Sequence, residues 1–205
     1  MWWIAVAVVA AGAALWGPIV SNVEQAGYTV IETHGAIEIR DYAPMIVAQT
    51  EVSGARDEAI SKGFRSIADY IFGNNTAQQK VAMTAPVIQQ PSEKIAMTAP
   101  VIQQGEGTQW QVRFVMPSEY RMDTLPTPKN DAVDIKEIPG KRFVVIRFSG
   151  MADEEMLAEH TTALNGFLKE KGLEPLSPPA YAFFNPPWTL PPLRRNEVMV
   201  EVAGR

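Results

Sequence analysis

The spacing of apolar positions changes several times along the chain, and each spacing selects a different element. Ile37–Tyr42 and 47–52 alternate apolar with polar residues, the two-residue period of a half-buried strand, and Pro44 marks a turn between them. From 57 to 72, Ile60, Phe64, Ile67 and Ile71 fall at i, i+4, i+7 and i+11, which puts them on one stripe of a helix. Gly73-Asn74-Asn75 then supplies a left-handed stop. Residues 109–116 alternate again, with Trp110, Val112, Phe114 and Met116 on one face and Pro117 closing the strand. Residues 143–148 are more continuously apolar, as expected of a central strand covered on both faces. A second helix is predicted over 153–171, with acids in its first turn, lysines in its last and Gly172 behind it. An alternating strand at 196–202 closes the chain.

Two repeats organise these elements. Val52-Ser53-Gly54-Ala55-Arg56-Asp57-Glu58 resembles Phe148-Ser149-Gly150-Met151-Ala152-Asp153-Glu154, 96 positions later, and each lies where a strand hands over to a helix. The expected fold is therefore α+β: two βαββ halves with pseudo-two-fold symmetry, forming a curved antiparallel sheet or distorted β-barrel with two main helices. The second repeat is local: KVAMTAPVIQQ at 80–90 recurs as KIAMTAPVIQQ at 94–104. Both copies favour β structure, Pro86 and Pro100 belong at an edge or bulge, and Pro91-Ser92-Glu93 offers a turn, so a hairpin is expected. Residues 175–192 hold seven of the 16 prolines and include Asn185-Pro186-Pro187-Trp188, which reads as a stiff loop carrying an aromatic, a lid or rim.

The N-terminus departs from this pattern, because no charged side chain occurs from 1 to 23. Two readings stay open. A cleaved signal peptide would use the small residues Ala11-Gly12-Ala13 but lacks a basic n-region. An uncleaved membrane anchor needs about 20 apolar residues, and 2–20 reaches this with Trp2, Trp3 and Trp16 at its ends. A buried core helix is the third alternative. Either leading reading expects export or membrane anchorage, at the cell envelope or periplasm, with membrane contact through the N-terminus if it is uncleaved. The remainder, 28–205, is about the size of one domain.

Composition narrows the chemistry. The chain has 23 acids against 18 bases and no basic cluster, so nucleic acid is not an expected partner. It has no cysteine, which removes disulfides, thiolate ligands and a cysteine nucleophile. No P-loop, Gly-x-Ser-x-Gly, His-Glu-x-x-His or dinucleotide fingerprint occurs, and no catalytic residue is assigned. There are two histidines. His160 shares a stripe with Met156, Ala163 and Phe167 and is either a satisfied core histidine or a metal ligand; His34, in Thr33-His34-Gly35, is a turn residue or a weaker ligand candidate. Met83 and Met97, one in each AMTAP copy, are either wall residues or soft axial ligands. Arg56, Lys62 and Arg65 place three positive charges on or beside the first helix, a solvated face or a clamp for the carboxylates of an amphipathic ligand.

Four strings together resemble the SOUL haem-binding family: Glu38-Ile39-Arg40-Asp41-Tyr42; Gly63-Phe64 through Tyr70-Ile71-Phe72-Gly73-Asn74; Ala82-Met83-Thr84-Ala85-Pro86-Val87; and Arg194-Arg195-Asn196-Glu197-Val198. The resemblance spans about 28 to 202 and implies a fold of two βαββ halves. It implies non-covalent binding of haem or another porphyrin on a hydrophobic patch edged by basic side chains, with the first helix as the candidate surface. Ile60, Lys62, Phe64, Arg65, Met83, Met97 and His160 are the expected binding residues. Some animal members carry a histidine after Glu-Ile-Arg; here that position is Asp41. The leading expectation is a tetrapyrrole carrier or buffer at the cell envelope. The alternatives are an enzyme acting on a flat hydrophobic substrate and an envelope interaction module.

Overall fold

The computed structural model describes residues 23–77, 92–186 and 188–204. Among them the order is β1 (Tyr28–His34), β2 (Ile37–Tyr42), β3 (Met45–Ser53), α1 (Arg56–Ile71), β4 (Asn75–Thr76), β5 (Val101–Glu106), β6 (Gln109–Val115), β7 (Thr127–Pro128), β8 (Asp134–Ile138), β9 (Lys141–Phe148), α2 (Glu154–Lys171), β10 (Ala180–Phe183) and β11 (Asn196–Val202). Nine strands build one strongly curled antiparallel sheet in the order β1-β2-β9-β11-β10-β5-β6-β3-β8. The order on one side of the β10–β5 boundary corresponds to that on the other: β9-β11-β10 matches β3-β6-β5. The strand leading into each half is exchanged, so β2 pairs with β9 and β8 pairs with β3. These are two βαββ halves about a pseudo-two-fold axis between β5 and β10.

Both helices cover one face of the sheet, α1 over β3 and β6, α2 over β9 and β11. Strand alternation divides the core accordingly: Val144 packs beneath α2, whereas its neighbour Val145 joins Val47, Val115 and Met199 on the opposite face. In α1 the predicted stripe is buried at Ile67 and Ile71, while its first turns meet the sheet through Ala59 and Gly63 rather than Ile60 and Phe64; in α2 the contact lies one position beyond Met156, His160, Ala163 and Phe167. In α1 the line of closest contact is Ala59, Gly63, Ile67 and Tyr70, all buried. A Cβ at Gly63 would lie 2.7 Å from Val112 Cγ2, so glycine is what lets the helix approach. In α2 the buried line is Leu157, Leu164 and Leu168.

The predicted terminators are present. Asp153 accepts a hydrogen bond from Met156 N–H at 2.9 Å, capping α2, and Gly172 ends it at φ 64°. Asn74 N–H donates to Asp69 O at 3.0 Å after α1. Asn75, fully buried, then binds the carbonyls of Tyr70 and Glu93 and the N–H of Glu93, tying the returning chain to the helix end. In the second AMTAP copy, Ile95 and Thr98 are buried, and Val101 onward forms β5. The first copy and Pro91 of the expected hairpin turn lie outside the described residues, as does 1–22. No helix of the described residues is long and apolar enough to cross a membrane.

Candidate functional site: a groove between the helices

The strand-to-helix joins of the two halves face each other across the pseudo-two-fold axis. Each contains a glycine at positive φ, Gly54 at 131° and Gly150 at 108°, where a side chain would be strained. Between them lies a groove of about 980 Å³. One wall is the N-terminal half of α1, with Ile60, Phe64 and Arg65; the other is 151–155, leading into α2. Val101 and Gln103 of β5, Phe183 of β10 and Asn196 of β11 form the floor, and Asn185 and Arg194 stand at the rim.

Ile60 and Phe64 reach this groove because the small residues Ala59 and Gly63 occupy the contact line. Phe64 rests on Phe114, ring centroids 5.2 Å apart, and stays 37% exposed, so an aromatic face is left for a ligand. Arg56 donates from Nη2 to Gln103 Oε1 at 3.0 Å and stands 5.5 Å from the Tyr181 ring and 5.9 Å from the Trp110 ring. Its Nε is buried with no hydrogen-bond partner. Arg56, Arg65 and Arg194 contribute cations to the groove; Asp57, 3.6 Å from Arg56 Nη1, lies on the α1 wall, and Asp153, Glu154 and Glu155 line the wall at the start of α2.

Of the residues expected from sequence, the groove gathers Ile60, Phe64 and Arg65. Lys62 is exposed and does not line it; nor does Met97, which is 39% exposed. Met83 lies outside the described residues. His160 does not line the groove; it is half-buried, stacked on Phe148 at 4.0 Å between centroids, with Nδ1 donating to Met156 O at 2.8 Å. His34 contacts Glu32 at 3.1 Å and the Phe167 ring at 5.1 Å. No cluster of His, Asp or Glu among the described residues is arranged to hold a metal ion. Met151 and Gln103 lie in the two repeats but were not expected at the site, and Phe183 lies in no motif; the pairing of β5 with β10 brings Gln103 and Phe183 together. Asn185 comes from the proline-rich stretch 175–192 expected to be a lid or rim, and Arg194 from the family-like string that follows it.

Two of the family-like strings meet elsewhere. Arg40 and Glu197, both buried, are joined at 2.9 Å from Nη1 to Oε2, and Arg195 binds the other carboxylate oxygen at 2.7 Å. Burial opposes the charge of Arg40, but the hydrogen bond and proximity of Glu197, helped by Tyr42, outweigh it and hold its pKa above the ordinary arginine value. Asp41 forms a bidentate pair with Arg142, at 2.6 and 2.7 Å, which holds its carboxyl below the usual range.

The comparisons with known proteins agree with this architecture. Heme-binding protein 2 of Homo sapiens is 30% identical over 139 residues, 67% of this chain and 64% of that protein. The match therefore spans just under two thirds of the relative's length. The C-terminal domain of EcmrR superposes with a TM-score of 0.61 at 10% identity, covering 87% of this chain and 99% of that one. A hydrolase from Listeria innocua superposes at 0.55 and 16% identity, covering 84% and 94%. At such identities the likeness is one of fold. The family model described as SOUL heme-binding protein matches residues 23–201, nearly the whole described domain, and the chain belongs to that family.

Proposed function

We propose that this protein binds haem or a related tetrapyrrole non-covalently in the groove between α1 and α2, as a carrier or buffer at the cell envelope. The observation that supports this most is the groove itself, a space of ligand size with the apolar side chains Ile60, Phe64, Val101 and Phe183 and three arginines along it. Ile60, Phe64 and Phe183 would take the flat macrocycle by apolar contact, and Arg65 and Arg194 would pair with its carboxylates. Bound haem would supply an iron centre, and Met151 is the thioether in the groove available to it. The envelope location rests on the uncharged segment 1–23.

The test is an absorbance titration of the protein with haemin. One saturable site with a shifted Soret band is expected; unsaturable adsorption overturns the reading. Fractionation of expressing cells is expected to place the full chain in the envelope fraction, and recovery in the cytosol alone overturns that part.

A further inference from the structure

The opposite face of the sheet holds a second cavity, of about 550 Å³, with different chemistry. Tyr42 of β2 and Lys136 of β8 both line it although these strands lie near opposite ends of the sheet order, so the cavity sits inside the curl. Strand alternation separates it from the helical groove: in β5, Val101 and Gln103 face the groove, whereas Ile102 and Gln104 face this cleft. Its walls are largely aliphatic and aromatic, from Met45, Val47, Ile102, Phe143, Ala180 and Met199.

Among these apolar walls stands Arg113, from the middle of β6. Its Nε donates to Gln49 Oε1 at 3.3 Å and its Nη1 to Gln104 Oε1 at 3.2 Å, two neutral acceptors that aim the guanidinium without neutralising it. No carboxylate of the described residues is within 4.0 Å of it. The nearby charges are otherwise engaged: Lys141 pairs with Glu201 at 2.7 Å, and Lys136 with Asp134 at 3.1 Å. Glu137 lines the cleft from an exposed position. Burial pushes the Arg113 pKa down, and the charge of Glu201, which lines the cleft while paired with Lys141, only partly opposes this. Partly burying a guanidinium against neutral amides costs stability that a bound anion would restore, and an apolar cleft beside it would hold a hydrocarbon chain.

We propose that this cleft is a second ligand site, distinct from the tetrapyrrole groove, for an amphipathic carboxylate: a hydrocarbon chain along Met45, Ile102, Phe143 and Met199, ending in one carboxylate on Arg113. Gln49 and Gln104 are positioning residues that fix the guanidinium's orientation.

Isothermal titration of the full chain with octanoate, octan-1-ol and octyltrimethylammonium tests this. Octanoate is expected to bind at one site, about tenfold or more tighter than the alcohol, as a charge-assisted contact to a half-buried guanidinium implies, and the ammonium probe is expected not to bind. In Arg113→Gln the octanoate advantage over octanol disappears while octanol binding remains, and in Arg113→Lys most of the advantage returns. Haemin affinity is unchanged in both, and a Phe64→Glu variant keeps octanoate binding. Equal affinity for octanoate and octanol in the unmodified protein, or an undiminished octanoate preference in Arg113→Gln, overturns the proposal. Loss of octanoate binding in Phe64→Glu overturns it too, by placing the probe in the helical groove. Failure of haemin to bind at all leaves these octanoate outcomes readable, so the two proposals fail separately.

Discussion

Arg40 and Glu197 form an ion pair over the top of a strand that belongs to neither: β9 lies between β2 and β11, and the side chains meet at 2.9 Å above it. The Tyr28 ring lies 4.3 Å from the Arg40 guanidinium, and Arg195, itself 3.8 Å from the Phe184 ring centroid, closes the other side of Glu197. The cluster fastens the first described strands to the last.

Removing the Glu197 charge leaves the buried Arg40 with only the part-exposed Glu38, 2.6 Å from its Nε, as counterion. Glu197→Gln is expected to destabilise the protein by about 3 to 5 kcal/mol, the usual loss for a fully buried pair cut on one side. Urea unfolding followed by circular dichroism measures it, and a loss under about 1 kcal/mol would show that the pair is not structural.

Alkaline pH should loosen the same region. Burial, with the Glu197 charge adding to it, pushes the Tyr42 phenol up to about 12. A folded-state pKa above the unfolded value of 10.0 contributes stability that is present below pH 10 and is lost as pH rises through about 12. The urea midpoint is expected to fall across that window, and to fall less steeply in Tyr42→Phe. Identical slopes in the two proteins would contradict the assignment.

Gly63 is the residue that sets how closely α1 approaches the sheet. Alanine there gains about 1 kcal/mol in helix propensity but drives its Cβ into Val112, and overpacking of this kind costs about 1 to 3 kcal/mol. Gly63→Ala should therefore be destabilising in the native background and neutral or stabilising with Val112→Ala, a sign change that a double-mutant cycle of unfolding free energies reads directly.

The helices and the central strands were readable from sequence because their periods are long and clean; Ile67 and Ile71 of α1 lie in the core as expected, but the rest of the stripes were displaced. Ile60 and Phe64 look like core positions since they are the largest apolar side chains at helical spacing, yet Ala59 and Gly63 hold the contact and leave them at the groove. The same displacement moves His160 off the buried line of α2, held by Leu157, Leu164 and Leu168. β1 escaped notice because nearly all its side chains are exposed, and β10 because its four residues are embedded in the proline-rich stretch. Half the groove was visible in α1. The other half, 151–155 with Phe183 and Arg194, comes from distant segments that only the pairing of β5 with β10 brings opposite.

His160 offers a direct contrast between packing and ligation. Its stack on Phe148 and its hydrogen bond to Met156 O are together worth about 1 to 3 kcal/mol. His160→Ala is expected to lower the unfolding free energy by that amount and to leave the Soret band of added haemin unchanged. A shifted band with unaltered stability would identify it as an iron ligand instead.

The groove assignment is tested most directly by comparing haemin titrations of Phe64→Glu and Arg65→Glu with the unmodified protein and with Lys62→Glu. Phe64→Glu puts a charge on the apolar wall, and Arg65→Glu replaces a carboxylate partner with a repelling group. Each should weaken haemin binding about tenfold, equivalent to about 1.4 kcal/mol, while Lys62→Glu, outside the groove, should change it by less than about threefold. Haemin affinity unchanged in both groove variants would contradict the account and move the tetrapyrrole to another surface of the fold.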